Sequence, residues 1–228
     1  GYLWDTGHLT YTAMLGHERT YQAWYGVPQI AIEGTESEIL DWANSSGEYG
    51  YGTDLARIAD LIERRDQHNF YRYEDEVDDY RQDHHQLHLD QEWKGWDLGL
   101  TAHYTAGSGY YEQYKPDAEL SLYGVTDLII GDSAIATGDV IRRRWLDNTY
   151  KGVALNAHRS WDRISMKWGG GAFNYEGAHF GIPIWMQYAG STQLGARYYS
   201  NVGSKTDRYG FAGFTQDWGG GRIRTQLE

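Results

Sequence analysis

The sequence has no cysteine, which excludes disulfides, thiolate metal sites and cysteine nucleophiles. It also lacks any run of eighteen apolar residues, so it predicts no transmembrane helix. Basic residues are in deficit, because 20 Lys and Arg stand against 32 Asp and Glu and leave a net charge of −12. That balance argues against a nucleic-acid-binding surface, so we expect no nucleic-acid partner.

Phenylalanine is scarce as well, with five residues against 20 Tyr and 10 Trp. Tyr and Trp combine an apolar ring with a polar group that remains hydrated. Such an aromatic composition is typical of membrane-interface girdles, sugar-binding surfaces and antibody paratopes. The 228 residues are enough for one large domain or two ordinary ones.

The clearest local pattern is a predicted β-hairpin over residues 84–105. Its turn is Lys94-Gly95, where glycine supplies the positive φ that a two-residue connection requires. Apolar residues alternate with polar ones on both arms, namely Leu87, Leu89 and Trp93 on the first and Trp96, Leu98, Leu100, Ala102 and Tyr104 on the second. A period of two places each set on its own face of a sheet.

Similar alternation predicts six or seven strands, many of them longer than the five or six residues common in soluble sheets. The predicted strands cover residues 8–24, the two arms within 77–111, 140–161, 164–179 and 197–218, with a truncated last strand after 221. Tight turns are expected at 94–95, 162–163 and 219–221, and tryptophans flank them.

The intervening connections are long. The first, about residues 26–73, contains a capping box at 35–38 and a second helix opened by Thr53-Asp54, with Leu55, Ile58, Ala59 and Ile62 on its apolar face. Between these helices we expect a flexible Gly/Tyr hinge at 47–52. The second connection, 115–139, could hold a small strand pair around 128–130, and the third spans about 181–195. A loop with its own helices is either functional or a neutral insertion.

Tight turns at one edge, long loops at the other and tryptophans at the tight edge are together typical of an outer-membrane β-barrel. The fold prediction is therefore all-β: a segment of an antiparallel transmembrane β-barrel with short periplasmic turns and long extracellular loops carrying a helical insertion. The Leu/Tyr/Trp face would contact lipid, and the His/Asp/Asn/Ser/Lys face would line a wet lumen.

Five blocks, in order, resemble the barrel domain of TonB-dependent outer-membrane receptors of Gram-negative bacteria. They are GHERTYQAWYGVP (16–28), YRQDHHQLHL (80–89), LTAHYTAGSGYYEQYK (100–115), DVIRRRWLDNTY (139–150) and GGGAFNYEGAHFG (169–181). The resemblance implies a barrel of twenty-two strands around an N-terminal plug. It also implies import of a scarce nutrient, such as a ferric siderophore or cobalamin, with energy from an inner-membrane complex.

The chain is expected to be a piece of such a receptor, with residues 1–228 forming part of one barrel domain. The plug, the remaining strands and the N-terminal segment that contacts TonB would lie outside it. The implied partners are a small-molecule nutrient, outer-membrane lipid and TonB, and the implied location is the outer membrane.

The sequence contains clustered histidines and acidic residues, but their spacing does not favour a metal site. His84 and His88 share a strand face but lie about 13 Å apart, at roughly 3.3 Å per residue, which is too far for one ion. The acidic run at 74–79 lacks the spacing of a calcium-binding EF-hand loop. We therefore expect no metal and no cofactor.

Candidate ligand-binding residues lie near the loop ends of the strands: Tyr110, Tyr111, Arg142, Arg144 and Trp145. The aromatic residues could stack on a siderophore or sugar, or form the outer girdle. The run Arg142-Arg143-Arg144 could pair with the acidic run at 74–79, with ligand carboxylates or phosphates, or with anionic sugars of the outer leaflet.

The leading functional hypothesis is a receptor that recognises and imports its ligand without covalent chemistry. One alternative is a secreted, aromatic-rich carbohydrate-active or carbohydrate-binding β-protein, in which Asp90 and Asp97 would act as acid and base. Another is a soluble β-rich binding module. The asymmetry between turns and loops favours the receptor.

Overall fold

The computed structural model describes residues 1–45, 51, 54–126 and 128–227. The chain divides into two compact units. We call residues 1–19 with 79–228 the sheet unit, and residues 20–78 the helical unit.

The main sheet has eight strands in the order β1-β2-β3-β4-β7-β8-β9-β10, and its pairings are antiparallel. Its strands are β1 (Tyr2–Trp4), β2 (Gly7–Tyr21), β3 (Val77–Trp93), β4 (Trp96–Glu119), β7 (Thr137–Trp161), β8 (Ile164–Met186), β9 (Tyr199–Trp218) and β10 (Gly221–Leu227). A separate pair consists of β5 (Ile129–Ile130) and β6 (Ser133–Ala134). The predicted antiparallel β-sheet with long strands is confirmed. Among the described strands β1 and β10 form open edges, so barrel closure stays a prediction.

The tight turns fall where the sequence places them. Lys94 and Gly95 both have positive φ, 50° and 77°, and join β3 to β4. Asp162, with φ of 31°, lies in the turn between β7 and β8. These turns depend on two residues each, so local sequence specifies them.

Cross-strand register defines the two faces of the sheet. Leu100 lies opposite Leu155, and Leu155 lies opposite Gly170, so these residues share what we call the Leu100 face. His103 lies opposite Gly152, which lies opposite Phe173, on what we call the His103 face. The predicted alternation over 96–105 is thus confirmed.

Aromatic rings on the His103 face lie over glycines of neighbouring strands. The rings of Tyr150, Phe173 and Tyr209, on β7, β8 and β9, stack in a row with centroids 5.6 and 6.3 Å apart. A side chain at Gly152 would collide with the Phe173 ring, and one at Gly171 would meet Tyr209. Glycine here provides the close approach that flat ring packing requires.

The helical unit contains α1 (Gln29–Glu33), α2 (Glu36–Ser45), α3 (Leu55–Arg64) and a 3₁₀ turn over Arg65–Gln67. It has its own hydrophobic core, made by Ala31, Ile39, Ala43, Tyr51, Ile58 and Leu61. The predicted capping box is confirmed, because the Glu38 carboxylate accepts from the Thr35 amide at 2.7 Å while the Glu38 amide donates to the Thr35 hydroxyl at 3.4 Å.

The predicted apolar face of α3 is wrong by part of a turn. Leu55 is 77 % exposed and Ala59 is exposed, whereas Arg57, Ile58 and Leu61 are buried. Arg57 can be buried because its guanidinium lies 4.2 Å above the Phe70 ring and pairs with Asp54 at 3.3 Å. Asp54 also caps α3 by accepting from the Arg57 amide, which confirms its predicted role.

Two further points need correction. The strand β1 was missed, because three residues are too few to show alternation. Strands β4 and β8 run past Pro116 and Pro183, since Pro116 lies within a register shift and Pro183 borders one, where irregular pairing tolerates proline. Of the predicted hinge at 47–52 only Tyr51 lies within the described residues, and it is 2 % exposed in the core of the helical unit. The strand pair expected near 128–130 is confirmed as β5 and β6.

A second core lies at the loop end of the sheet unit. It is formed by Leu120, Tyr123, Val125, Val140 and Met186, with Tyr198 packed against it. A 3₁₀ turn over Leu120–Tyr123 ends at Gly124, whose φ of 82° is left-handed. This core gives fixed positions to the connection between β4 and β7 and to the one between β8 and β9.

Candidate functional site

Large apolar side chains on the Leu100 face remain exposed. We call this surface the apolar band, and its members include Leu100, Val153, Leu155, Met166 and Trp168, with the half-buried Leu98 beside them. Leu100, Leu155 and Trp168 are each 44 % exposed and Val153 is 50 % exposed. The band weakens on β9, where Arg208 and Thr206 occupy the same face. A contiguous exposed apolar surface of this kind marks contact with another molecule or with lipid.

Tryptophans border the band at the tight-turn edge. The Trp96 ring packs edge-on against Trp161 at 5.8 Å and lies 6.4 Å from Trp168. Arg159 lies 4.7 Å above the Trp161 ring. Indole rings with nearby cations suit a boundary between apolar medium and water.

The five predicted ligand-binding residues divide between the two faces. Tyr110 lies opposite Trp145 on the Leu100 face, whereas Tyr111 lies opposite Arg144 on the His103 face. Arg142, two residues from Arg144, shares the His103 face. The five residues therefore form two separate clusters and cannot contact one ligand together.

The cluster on the Leu100 face is an aromatic stack. Tyr110 packs on Trp145 at 4.7 Å, and Trp145 stacks on Phe180 at 5.9 Å with 4° between the ring planes. Arg143 lies 4.3 Å above Tyr110, and Arg197 lies 3.7 Å above Phe180. Because cations already cover both ends of this stack, it resembles a girdle more than an open stacking platform.

The cluster on the His103 face contains two arginines with neutral partners. Arg142 donates to the Tyr123 hydroxyl at 3.1 Å and to Gln113 Oε1 at 3.1 Å. Arg144 Nε donates to the Tyr199 hydroxyl at 3.0 Å. By contrast, Arg143 on the opposite face pairs with the Glu112 carboxylate at 2.8 Å.

Glycine makes the Arg144 contact possible. Arg144 on β7 and Tyr199 on β9 both lie opposite Gly181 of the intervening strand β8. A side chain at Gly181 would collide with the rings of Tyr198 and Tyr199. The hydrogen bond from Arg144 to Tyr199 therefore crosses above β8 without obstruction.

Tyr198 completes this cluster and was missed by the sequence reasoning, as were Tyr123, Tyr199 and Gln113. Its ring lies 4.7 Å from Tyr123 and 4.9 Å from Tyr199. Its hydroxyl is buried without a hydrogen-bond partner among the described residues. Burial raises the pKa of Tyr198 to about 12, while the positive charge of Arg142 acts in the opposite direction. Alternation alone could have separated 111, 113, 142 and 144 from their neighbours, but nothing local signals the tyrosines of the connections.

The histidines on β3 bond to neighbouring polar side chains. His84 Nδ1 lies 2.9 Å from the Thr105 hydroxyl, and His88 Nδ1 lies 3.1 Å from the Thr101 hydroxyl. A search of the described residues finds no group of three or more His, Cys, Asp or Glu that could hold a metal ion.

Within the sheet unit, Arg143 of the arginine run and Asp79 of the acidic run bond to different partners. Arg143 forms a cross-strand pair with Glu112, and Asp79 bonds His17 at 2.8 Å. The proposed acid and base of the alternative enzyme also have other partners. Asp90 lies 3.1 Å from His8, and the more exposed Asp97 lies 3.6 Å from His158.

The helical unit has an aromatic cleft of its own, with a volume of about 310 Å³. Its walls include Tyr25, Pro28, Trp42, Tyr51 and Phe70. Behind the cleft His68 Nδ1 donates to Asp60 at 2.7 Å, so its neutral Nε2 accepts from the Tyr51 hydroxyl at 3.0 Å. Burial lowers the pKa of His68 and raises the pKa of Tyr51 to about 12.

Comparison with known proteins identifies no family. Within the described residues, no helix is long and apolar enough to cross a membrane. No family model matches the chain, and a search of the curated proteins finds no matching relative.

Proposed function

We propose that the chain is part of an outer-membrane β-barrel receptor that takes up a small-molecule nutrient. The observation that carries the proposal is the contrast between the faces of the sheet. Leu100 and Leu155 are paired and exposed on one face, while the adjacent Thr101 and Asn156 point to the other. In water such an apolar surface would promote association, whereas in a bilayer it would be covered by lipid.

Strand length and edges support the same conclusion. Strands β4, β7 and β8 have 24, 25 and 23 residues, whereas a tilted transmembrane strand needs about 9–11. The strands could therefore cross the hydrocarbon region and extend well beyond it. Open edges at β1 and β10 would pair with further strands in a closed barrel, as lipid requires.

The loop end supports a receptor rather than a purely structural barrel. The Arg142 and Arg144 cluster lies on the face that would line the lumen, beside a packed core that fixes the loops. Uptake of a ferric siderophore or a similar complex, driven through TonB, is the activity that the family resemblance of the sequence implies.

The test is membrane assembly of the full-length gene product carrying Leu100→Arg or Thr101→Arg. A charge on the lipid face near mid-bilayer costs about 2–4 kcal/mol, so we expect Leu100→Arg to lose assembly, measured by membrane fractionation and heat-dependent electrophoretic migration. Thr101→Arg, one residue away on the opposite face, should assemble. Recovery of both variants and the wild type as soluble monomers would contradict the proposal and favour the secreted carbohydrate-binding alternative.

A further inference from the structure

Two arginines on the His103 face have positive charges that no described carboxylate neutralises. Arg142 and Arg144 bond only to neutral oxygen acceptors, namely Gln113, Tyr123 and Tyr199. The protein as a whole carries a net charge of −12, so acidic residues are plentiful. A partly buried cation without an anionic partner raises the free energy of the folded protein, and binding of an anionic ligand would offset that cost.

A donor without an acceptor lies beside them. The Tyr198 hydroxyl is buried and makes no hydrogen bond within the described residues. Its ring packs between Tyr123 and Tyr199, the two tyrosines that bind the arginines. Buried hydroxyls normally have a partner, so this one indicates an acceptor that the described residues do not supply.

We propose that Arg142, Arg144 and Tyr198 bind a compact solute carrying at least two anionic oxygen groups, carboxylate or phosphate. Arg142 and Arg144 are two residues apart on one strand face, which spaces them by roughly 6–7 Å. That spacing suits one polyanion contacted by both guanidinium groups, and guanidinium geometry matches both kinds of oxyanion. Tyr111, 5.5 Å from the Arg144 guanidinium, forms one wall of the site.

The position along β7 favours access from outside the cell. Arg144 lies eleven residues from Leu155, which is about 36 Å along the strand at roughly 3.3 Å per residue. At a strand tilt of about 45°, this separation corresponds to about 25 Å along the membrane normal. It is larger than half the height of the apolar band of a transmembrane barrel, which is about 25 Å tall. Because the arginines lie on the face opposite the apolar band, the anion would be a solute and not a lipid headgroup. The extracellular position of the site rests on the proposed function.

The experiment is calorimetric titration of the purified full-length protein with pyrophosphate and, separately, with tricarballylate. The protein is purified from whichever cell fraction contains it. Anion binding is therefore measured even if the protein does not assemble in the membrane, and the two failures can be distinguished. We expect saturable binding of at least one anion, weakened by added salt. The stronger of the two ligands identifies phosphate or carboxylate as the preferred group.

Substitutions of the three proposed binding residues test whether these side chains form the anion site. Arg142→Gln and Arg144→Gln should each weaken binding about tenfold, since each removes hydrogen bonds to a charged group, and the double variant should abolish it. Tyr198→Phe should weaken binding about threefold. Arg163→Gln, which removes one positive charge in the tight turn at the other edge of the sheet, should bind like the wild type.

Three outcomes would overturn the inference. They are no saturable binding of either anion by the wild type, unchanged binding by the double variant, and an equal loss in Arg163→Gln. The last would show a general charge effect instead of a site. Circular dichroism of each variant identifies misfolding, and Tyr198→Phe, which removes one oxygen atom, tests the site with the least structural disturbance.

Discussion

In the helical unit Ile39 and Leu61 are fully buried, whereas in the sheet unit Leu100 and Leu155 are each 44 % exposed. The helical unit packs a hydrophobic core of its own between its helices. The sheet has one layer along its apolar band and nothing described in the chain covers that band. The difference shows that one chain can contain a region stabilised by its own core and another that depends on its surroundings.

The largest expected effect is the loss of stability caused by a cavity in the helical unit. Leu61→Ala should destabilise α3 by about 2–5 kcal/mol, because Leu61 is fully buried and its neighbours cannot fill the space. Leu155→Ala on the apolar band should cost less than about 1 kcal/mol, since a solvent or lipid molecule replaces the lost contacts. Native-state hydrogen exchange of the α3 and β7 amides measures both. Equal losses at the two sites would remove the contrast between the units.

A second prediction concerns how ring packing over glycine stabilises the sheet along its strands. Gly152→Ala should destabilise the sheet by about 1–3 kcal/mol, because the new methyl group displaces the Phe173 ring that lies over it. Gly203→Ala, on the same face as Gly152, is the control. The atom nearest to its added methyl group would be 4.0 Å away. Urea denaturation midpoints of the two variants measure the effect. If both match the wild type, ring packing over glycine does not stabilise the sheet.

A third, smaller effect tests whether the helical unit also depends on local caps. Thr35→Ala removes the hydroxyl that accepts from the Glu38 amide at the start of α2, leaves the bond from the amide of residue 35 to the Glu38 carboxylate, and should cost about 1 kcal/mol. Ser37→Ala, on the exposed first turn of the same helix, should change stability by less than about 0.5 kcal/mol. Hydrogen exchange of the α2 amides distinguishes them, and an equal effect of the two would show that the cap is dispensable.

The smallest expected effect is a pH dependence confined to the helical unit. Burial lowers the pKa of His68, so the unfolded chain binds a proton more readily than the folded one below pH about 6.5. The helical unit should therefore lose stability as the pH falls through that value, and regain it above. Exchange rates of α3 amides at pH 5 and 7 provide the measurement. His68→Gln should lose the dependence, and its persistence in that variant would assign it to another group.

Local signals predicted the parts of the fold that depend on a few adjacent residues. Lys94-Gly95 and the capping box from Thr35 to Glu38 need no tertiary information, and both are confirmed. The buried face of α3 depends on Phe70, thirteen residues beyond Arg57, which covers the guanidinium. A hydrophobicity pattern treats an arginine as exposed and cannot anticipate that contact.

The arginine site shows the same limit. Its two arginines were candidates from the sequence because their charges are concentrated on one strand. Tyr123, Tyr198 and Tyr199 approach them only because two connections pack on one core at the loop end. Their sequence separation from Arg142 and Arg144 leaves no periodic signal to detect. Conversely, alternation would have assigned Tyr110 and Trp145 to the opposite face, as the register shows.

The odd spacing of eleven residues between Arg144 and Leu155 limits how this gene can evolve by insertion and deletion. Adding or removing one residue between them, without a bulge to absorb it, would turn one of the two onto the opposite face. Either the arginine pair would leave its tyrosines or a leucine would leave the apolar band. Length changes of two residues keep both faces but shift one side of the ladder. We therefore expect length variants to be confined to the long connections, so that ligand preference could diversify there while the strands keep their lengths.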